Sequence, residues 1–244
     1  MRVFPPYPSG EKQTDIPNHP LIVVSVMARK GGTGKSTITL NLATEAVKNG
    51  LKAGVLDLDP QATAETWADE REKSSEIDHS QPVVRGAKPS RFEMAIAEAD
   101  ASGYGILFID TPANSTHAAT DIVKHSDYVL IPTTPGAFDI EAINQTMRLA
   151  KEQQKPAAVL LNKCRHNAPV QTKLAAKKIT EDHHFPIAGE VICNRKAFDD
   201  ANEKGLGVQE HAPRSKAAEE IAGLYKWLMK DLGLETEQEA ALTA

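Results

Sequence analysis

Two lysines stand on either side of a glycine cluster in the segment ARKGGTGKST, which covers residues 28–37. Lys30 precedes the cluster and Lys35 ends it. A glycine-rich loop between a buried strand and a helix can bring backbone N–H groups close to phosphate oxygens, because glycine adopts conformations closed to other residues. One lysine is enough to neutralise a bound phosphate, so the second lysine requires its own explanation.

The loop residues predict how the phosphates of a nucleotide are held. Backbone N–H groups would form the cradle, and they belong to Gly31, Gly32, Thr33 and Gly34. Lys35 would reach the β- and γ-phosphates, and the Ser36 hydroxyl would bind Mg²⁺. Thr37 would hold the α-phosphate side. An ordinary glycine-rich turn is the alternative, but GKST after a buried strand argues against it.

Two acidic segments follow apolar runs and predict the remainder of a nucleotide site. LDLDPQ carries Asp57 and Asp59, and GILFID ends in Asp110. Carboxylates at the carboxyl ends of parallel strands lie where α/β folds bind ligands. An apolar strand that ends in aspartate typically contributes one carboxylate to the Mg²⁺ shell, often through water. Acidic turns without function are the alternative for each segment taken alone.

The elements that must position these residues alternate along the chain. Apolar runs predict strands at 21–28, 52–57, 105–110, 128–132 and 157–161, with a short one near 186–191. Helical patterns cover 35–49, 63–69, 89–101, 196–204 and 215–230, and the charged stretch 70–81 predicts a surface connection. In the last helix, a core-facing stripe comprises Ile221, Leu224, Tyr225 and Leu228. The predicted fold class is α/β, a doubly wound, mostly parallel sheet flanked by helices.

Composition bounds the organisation of the 244 residues, 41% of which are hydrophobic. We expect a flexible arm over 1–19, one domain over 20–232 and an acidic tail over 233–244. The longest apolar run has eight residues from Leu21, too few to span a bilayer. Cys164 and Cys193 lack metal-ligand spacing, and reduced thiols suit a cytoplasmic protein. The net charge of −5 excludes only an overall basic character, not a basic patch.

The phosphate loop departs from the standard pattern G-x-x-x-x-G-K-[ST], because Arg29 stands where the first glycine belongs. The form K-G-G-x-G-K-[ST] resembles the deviant loop of the ParA/MinD family of P-loop ATPases. This resemblance implies ATP and Mg²⁺ as cofactors and an ATP-dependent homodimer. In that dimer, Lys30 would reach across the interface to the partner's nucleotide. The alternative is a surface lysine beside the loop.

The resemblance extends over residues 21 to about 232. In the D-x-D-P-Q segment it implies that Asp59 orients the attacking water, while Asp57 supports Mg²⁺ and the loop lysine. Asn162, which follows the strand AAVLL, would read the adenine edge, although it could instead cap the strand. The spacing R-x-A-F-x-x-A-x-x-x-G-x-x-V-x-E runs from Arg195 to Glu210 and favours ParA proteins. The backbone around Pro213 would close over the adenine.

For ParA-like proteins the resemblance implies non-specific DNA binding by late basic residues, and the best candidates here are Arg195, Arg214 and Lys216. It also implies a ParB-like or small centromere-binding partner and a nucleoid-associated location. Only 29 residues precede Lys30, so we expect the short form, without a helix-turn-helix domain ahead of the loop.

Other functions on the same scaffold stay open. A positioning ATPase for a chemotaxis cluster or microcompartment would differ only in its partner. A MinD-like protein would bind membrane through a basic amphipathic C-terminus, whereas GLETEQEAALTA is acidic. A nitrogenase-type iron protein would need differently placed cysteines, and a tyrosine autokinase a terminal tyrosine cluster. A ligase resembling dethiobiotin synthetase fits the late segment less well.

Overall fold

The computed structural model describes residues 20–74, 77, 80–113 and 116–234. The expected N-terminal arm lies outside this part of the chain. The same holds for the expected acidic tail, apart from residues 233 and 234.

Six strands form one sheet in the order β3-β2-β4-β1-β5-β6, and every pairing between them is parallel. They are β1 (Ile22–Val26), β2 (Ala53–Asp57), β3 (Val83–Gly86), β4 (Ile106–Asp110), β5 (Tyr128–Thr133) and β6 (Ala157–Leu161). Continuous apolar runs form these strands because helices cover both faces of the sheet. The doubly wound α/β class expected from the sequence is confirmed.

Ten α-helices connect and flank the strands within the described residues. They are α1 (Lys35–Lys48), α2 (Thr63–Lys73), α3 (Phe92–Ala101), α4 (Thr116–Lys124), α5 (Ala137–Ala142), α6 (Asn144–Glu152), α7 (Pro169–Lys177), α8 (Lys196–Asn202), α9 (Val208–His211) and α10 (Lys216–Asp231). One hydrophobic core lies between the sheet and the helices α1, α2 and α8 to α10. A second core lies on the opposite face, under α3, α4, α6 and α7. The predicted stripe on α10 is buried, at 7% exposure or less.

At the periphery of the sheet, one strand was not predicted and one predicted strand was wrong. The sequence did not reveal β3, an edge strand that pairs only with β2 and buries only Val84. Edge pairing depends on a neighbouring strand rather than on a long apolar run. The strand expected near 186–191 does not form. Isolated bridges join Val159 to Ile187 and Cys164 to Cys193 instead.

The charged stretch 70–81 is not wholly a surface connection, because α2 continues to Lys73. Arg71 lies inside this helix and is only 4% exposed. Charge composition predicted a solvated loop, whereas the buried guanidinium has acceptors that only the folded chain provides. Among the described residues, no helix combines the length and the apolar character needed to cross a bilayer.

Candidate nucleotide-binding site

The phosphate loop joins β1 to α1 at the centre of the sheet. Gly32 and Gly34 take left-handed conformations, with φ of 76° and 89°. Gly34 caps α1 without a side-chain hydrogen bond, so the first N–H groups of the helix stay available for an anion. Gly34 is required for a second reason. A Cβ atom there would lie 2.3 Å from the Asn162 side-chain nitrogen.

A cavity of about 730 Å³ opens over this loop, within the range of small-molecule sites. Its lining brings the loop together with the acidic segment, and the residues expected from the sequence are Gly31, Gly32, Gly34, Lys35, Ser36, Thr37 and Asp59. Lys35 is buried, at 7% exposure, and a buried ammonium is suited to bind phosphate oxygens. The lining also includes Pro89 and Lys163, which were not expected from the sequence. Lys163 directly follows Asn162 in the sequence, and this adjacency could have indicated that Lys163 lies near the site.

Asp57 and Asp110 lie side by side at the carboxyl ends of neighbouring strands. The two residues are register partners on β2 and β4, and Asp110 also pairs with Val26 of β1. Asp57 accepts hydrogen bonds from the backbone N–H groups of Asp59 and Ala64, both at 2.9 Å. Its carboxylate therefore shapes the DLDPQ loop and the start of α2. This structural role of Asp57 was not predicted from the sequence.

Asp110 is fully buried, and neither of its carboxylate oxygens has a hydrogen-bond partner among the described residues. Burial raises its pKa to about 7, and Asp57 adds to the rise, although the nearby Ser36 hydroxyl partly offsets it. Mg²⁺ prefers carboxylate, phosphate and water oxygens. Unsatisfied buried oxygens beside a phosphate-loop hydroxyl fit such an ion. No group of three metal-ligating side chains gathers in the described chain, so phosphate oxygens would have to complete the shell.

The buried Asp110 carboxyl predicts a pH-dependent stability. The folded pKa of Asp110 lies above its ordinary value of 3.8, so the folded protein is most stable while this carboxyl is protonated. That contribution to the free energy of unfolding is lost as the pH rises from about 4 through 7. In chelator-treated protein, Asp110→Asn should therefore raise the melting temperature more at pH 8 than at pH 5. We expect about 3 °C per kcal/mol for a chain of this size. The exposed Asp121→Asn is the control, and an equal shift at both pH values would contradict the prediction.

Asp59 lies at the rim of the same cavity with Pro60 and Gln61. Its Oδ1 accepts a hydrogen bond of 3.0 Å from the backbone N–H of Gln61. The side chain is half-buried and borders the cavity beside Gly34 and Lys35. A carboxylate in this place can orient a water molecule near a terminal phosphate.

Asn162 is buried, and its amide already has two partners within the chain. Its Nδ2 donates to the backbone oxygen of Thr33 at 2.7 Å, and its Oδ1 accepts from the backbone N–H of Lys163 at 2.8 Å. Asn162 therefore fastens the phosphate loop to the end of β6. It does not line the cavity, and neither does Pro213, whose side chain is exposed. Neither expected adenine contact therefore borders the cavity.

The late segment docks on the helix that follows the phosphate loop. Asn41 of α1 accepts from the Val208 N–H through Oδ1, and its backbone oxygen accepts from the Gln209 side chain, both at 2.8 Å. Asn202 of α8 lies 3.4 Å from the Thr37 hydroxyl. The spacing recognised in the sequence thus supports the loop from behind.

Arg71 ties α2 to the same segment. Its guanidinium donates to both carboxylate oxygens of Glu210, at 2.8 and 2.7 Å. It also donates to the backbone oxygens of Gly205 and Gln81, at 3.1 and 2.9 Å. Gly205 has φ of 65°, and a Cβ atom there would lie 2.1 Å from the Arg71 backbone nitrogen. Packing against Arg71 therefore explains why the late spacing has a glycine at 205 and a glutamate at 210.

Removing this buried guanidinium should strongly destabilise the fold. We expect Arg71→Ala to lower the free energy of unfolding by about 3 kcal/mol, because two carbonyl groups lose a donor and the Glu210 carboxylate loses both guanidinium bonds, keeping the one from the Gly207 N–H. Urea denaturation measures the change. Arg148→Ala is the matched control, because its pair with Glu152 has side chains 80% and 52% exposed and should contribute less than about 1 kcal/mol. Equal losses in both variants would contradict the prediction.

The two loop lysines have different surroundings. Lys35 lines the cavity, whereas Lys30 does not and keeps half of its side chain exposed. The Lys30 ammonium instead donates to Oδ1 of Asp139 on α5. Lys30 is therefore not positioned to serve the phosphates of its own cavity.

The expected DNA-binding residues lie near the start of α8 and α10. Arg195 donates to Oε1 of Glu220, with Nε at 3.0 Å and Nη2 at 2.6 Å. Lys216 pairs with Glu219 at 2.6 Å, and both side chains are more than half exposed. Arg214 is exposed. Because Glu220 already neutralises Arg195, Arg214 is the stronger candidate for a phosphate contact.

Comparison with known proteins agrees with this geometry. Residues 24–208 match the family described as the CobQ/CobB/MinD/ParA nucleotide binding domain. The maintenance of carboxysome distribution protein A of Halothiobacillus neapolitanus is 25% identical over 214 residues, covering 81% of this chain and 92% of that protein. Protein ParA of Rhizobium radiobacter is 28% identical over 133 residues, covering 54% and 58%.

The septum site-determining protein MinD of Pyrococcus horikoshii, solved with Mg-ADP, shares the fold with a TM-score of 0.68 at 18% identity. The alignment covers 89% of this chain and 99% of that one. Because the family match spans most of the chain, the resemblance noted in the phosphate loop is confirmed. This chain belongs to the ParA/MinD family of nucleotide-binding ATPases.

Proposed function

We propose that this protein is a ParA-type ATPase that partitions DNA, either a plasmid or a chromosome. ATP binding would create a sandwich dimer, the dimer would bind non-specific DNA, and a partner protein would stimulate slow hydrolysis. One observation carries the proposal. Lys35 is buried at the cavity, whereas Lys30 of the same loop lies outside it, with half of its side chain exposed and its ammonium paired with Asp139.

The proposed reaction is attack of water on the γ-phosphate. Asp59 orients the water at the cavity rim, and Lys35 opposes the charge that develops on the phosphate oxygens. Lys30 of the other subunit adds a second positive charge to the same oxygens. Without that subunit the site lacks one cation, so turnover by a monomer should be slow.

The proposed cation is Mg²⁺, held by the Ser36 hydroxyl and by Asp110, partly through water, with Asp57 beside them. Mg²⁺ would supply positive charge to the terminal phosphates. Deprotonated Asp110 is the form that binds a cation, and burial holds its pKa near 7. Metal binding should therefore strengthen between pH 6 and pH 8.

DNA binding would place the protein on the nucleoid. Arg214 and Lys216 are the proposed phosphate contacts, with Arg195 a weaker candidate because of its pair with Glu220. The partner would be a ParB-like or other small centromere-binding protein. Basic residues of this kind contact the phosphate backbone of DNA, and such contacts carry no sequence specificity.

A positioning ATPase for a protein cargo is the second candidate. The named function of the Halothiobacillus neapolitanus relative, maintenance of carboxysome distribution, favours it. Such a protein would keep the dimer and the DNA binding but change the partner.

DNA binding should require ATP and weaken steeply with salt. For about four phosphate contacts, we expect affinity to fall about 100-fold between 50 and 200 mM salt. Fluorescence anisotropy with a random-sequence duplex measures it. Arg214→Ala should lower the affinity and flatten the salt slope, whereas the exposed Lys73→Ala should leave both unchanged.

A flat salt response would remove the DNA proposal. Parallel ATP-dependent pelleting with anionic liposomes tests the membrane alternative, since binding to liposomes rather than DNA would favour a MinD-like function. A partner that stimulates hydrolysis and binds a centromere repeat would distinguish DNA partition from a protein cargo.

A further inference from the structure

Lys30 is held by a carboxylate that lies far away in the sequence. Asp139 is the third residue of α5, and 109 positions separate it from Lys30. Its Oδ1 accepts a hydrogen bond from the Lys30 ammonium, and its Oδ2 accepts one from the Thr134 hydroxyl. Asp139 is thus fixed by Thr134 on one side, while Lys30 approaches from the other.

The site favours an ionised carboxylate at Asp139. Burial alone raises its pKa, but the hydrogen bonds from Lys30 and Thr134 outweigh burial, so the pKa lies below the ordinary value. The Asp139 side chain is 16% exposed, whereas the Lys30 side chain is 50% exposed. Asp139 is therefore fixed in place, whereas the more exposed Lys30 side chain can still move away from it.

A carboxylate and a phosphate compete for the same ammonium. We expect Lys30 to release Asp139 before it binds the phosphates of a second subunit, because neither residue borders its own cavity and the ammonium must move to reach another one. Phosphate oxygens carry more negative charge than one carboxylate, so exchange is favourable when ATP is presented by the partner.

We propose that Asp139 is a positioning residue that holds Lys30 on its own subunit until nucleotide phosphates of a second copy displace it. The identity of the displacing anion rests on the proposed function. The pair itself does not, since it belongs to the single chain. Asp139 thereby raises the protein concentration at which the ATP-bound dimer forms.

The expected size of the effect follows from the exposure of the pair. A partly exposed ion pair changes an equilibrium by about two- to fivefold. Two such pairs open when one dimer forms, so removal of both should lower the dimer dissociation constant about fourfold or more.

The test uses the full-length protein with Asp139→Asn, which keeps the shape of the side chain and removes its charge. Glu141→Gln is the matched control, because Glu141 is an exposed carboxylate on the same helix, bonded to Asn144. Asp139→Glu is the rescue variant, since it restores the charge. Thermal melting confirms that all variants fold.

The first measurement is the rate at which an acetylating reagent modifies Lys30 in nucleotide-free protein, read by peptide mass spectrometry. Asp139→Asn should accelerate it about twofold or more, with Glu141→Gln unchanged and Asp139→Glu close to wild type. Equal rates in wild type and Asp139→Asn would overturn the proposal, whether or not the protein dimerises.

The second measurement is the dimer dissociation constant with ATP, from sedimentation velocity. Tighter dimers for Asp139→Asn alone support the proposal, and unchanged or weaker dimers overturn it. Wild-type protein that stays monomeric with ATP at every concentration would defeat the proposed function. In that case the acetylation rates decide whether Asp139 holds Lys30, and equal rates would overturn that part as well.

Discussion

A Lys30→Ala variant should still bind ATP but lose ATP-dependent dimerisation, and stimulated hydrolysis should fall about 1,000-fold. A cation supplied in trans to a transferring phosphoryl group has effects of about this size. Lys30 is placed for this role once it leaves Asp139, because it lies outside its own cavity and keeps half of its side chain exposed. Lys35 remains in place, so nucleotide binding by the single subunit should survive.

Sedimentation velocity and phosphate release measure the two effects of this substitution. Arg29→Ala is the matched control, because it removes the neighbouring exposed cation of the same loop and should retain most of the activity. Hydrolysis at the full wild-type rate by a strictly monomeric Lys30→Ala protein would exclude the trans role of Lys30.

An Asp59→Ala variant should form the ATP-bound dimer and fail to leave it. Loss of a residue that orients or activates the attacking water lowers turnover by about 100-fold or more. Asp59 borders the cavity beside Lys35, whereas the neighbouring Asp57 is occupied by backbone N–H groups. Asp59, which borders the cavity, is therefore better placed for a water molecule than Asp57, which is 2% exposed.

Size-exclusion chromatography with ATP measures the trapped dimer, and phosphate release measures turnover. Asp69→Ala removes an exposed carboxylate from α2 and serves as the control. Turnover equal to wild type in Asp59→Ala would remove Asp59 from the catalytic step, and a rapidly exchanging dimer would contradict the trapping.

The central strands could be predicted to within about two residues at each end, because strands buried on both faces are continuous apolar runs. The edge strand β3 was missed, since its stability comes from pairing with β2 rather than from its own composition. The buried Arg71 was also missed. Its acceptors Glu210 and Gly205 lie on other segments, and no local pattern announces them.

The sequence by itself determined the family and predicted the chemistry of the phosphate loop. The loop glycines, Lys35 and Ser36 are neighbours in the chain, so their spacing alone predicts how they would hold a phosphate. Tertiary structure alone decided the strand order that sets Asp110 beside Asp57, and the contact between Lys30 and Asp139. Such contacts depend on how strands and helices pack, which short-range patterns do not encode. For that reason the sequence could show that the loop has two lysines, but only the fold separates the buried Lys35 from the exposed Lys30.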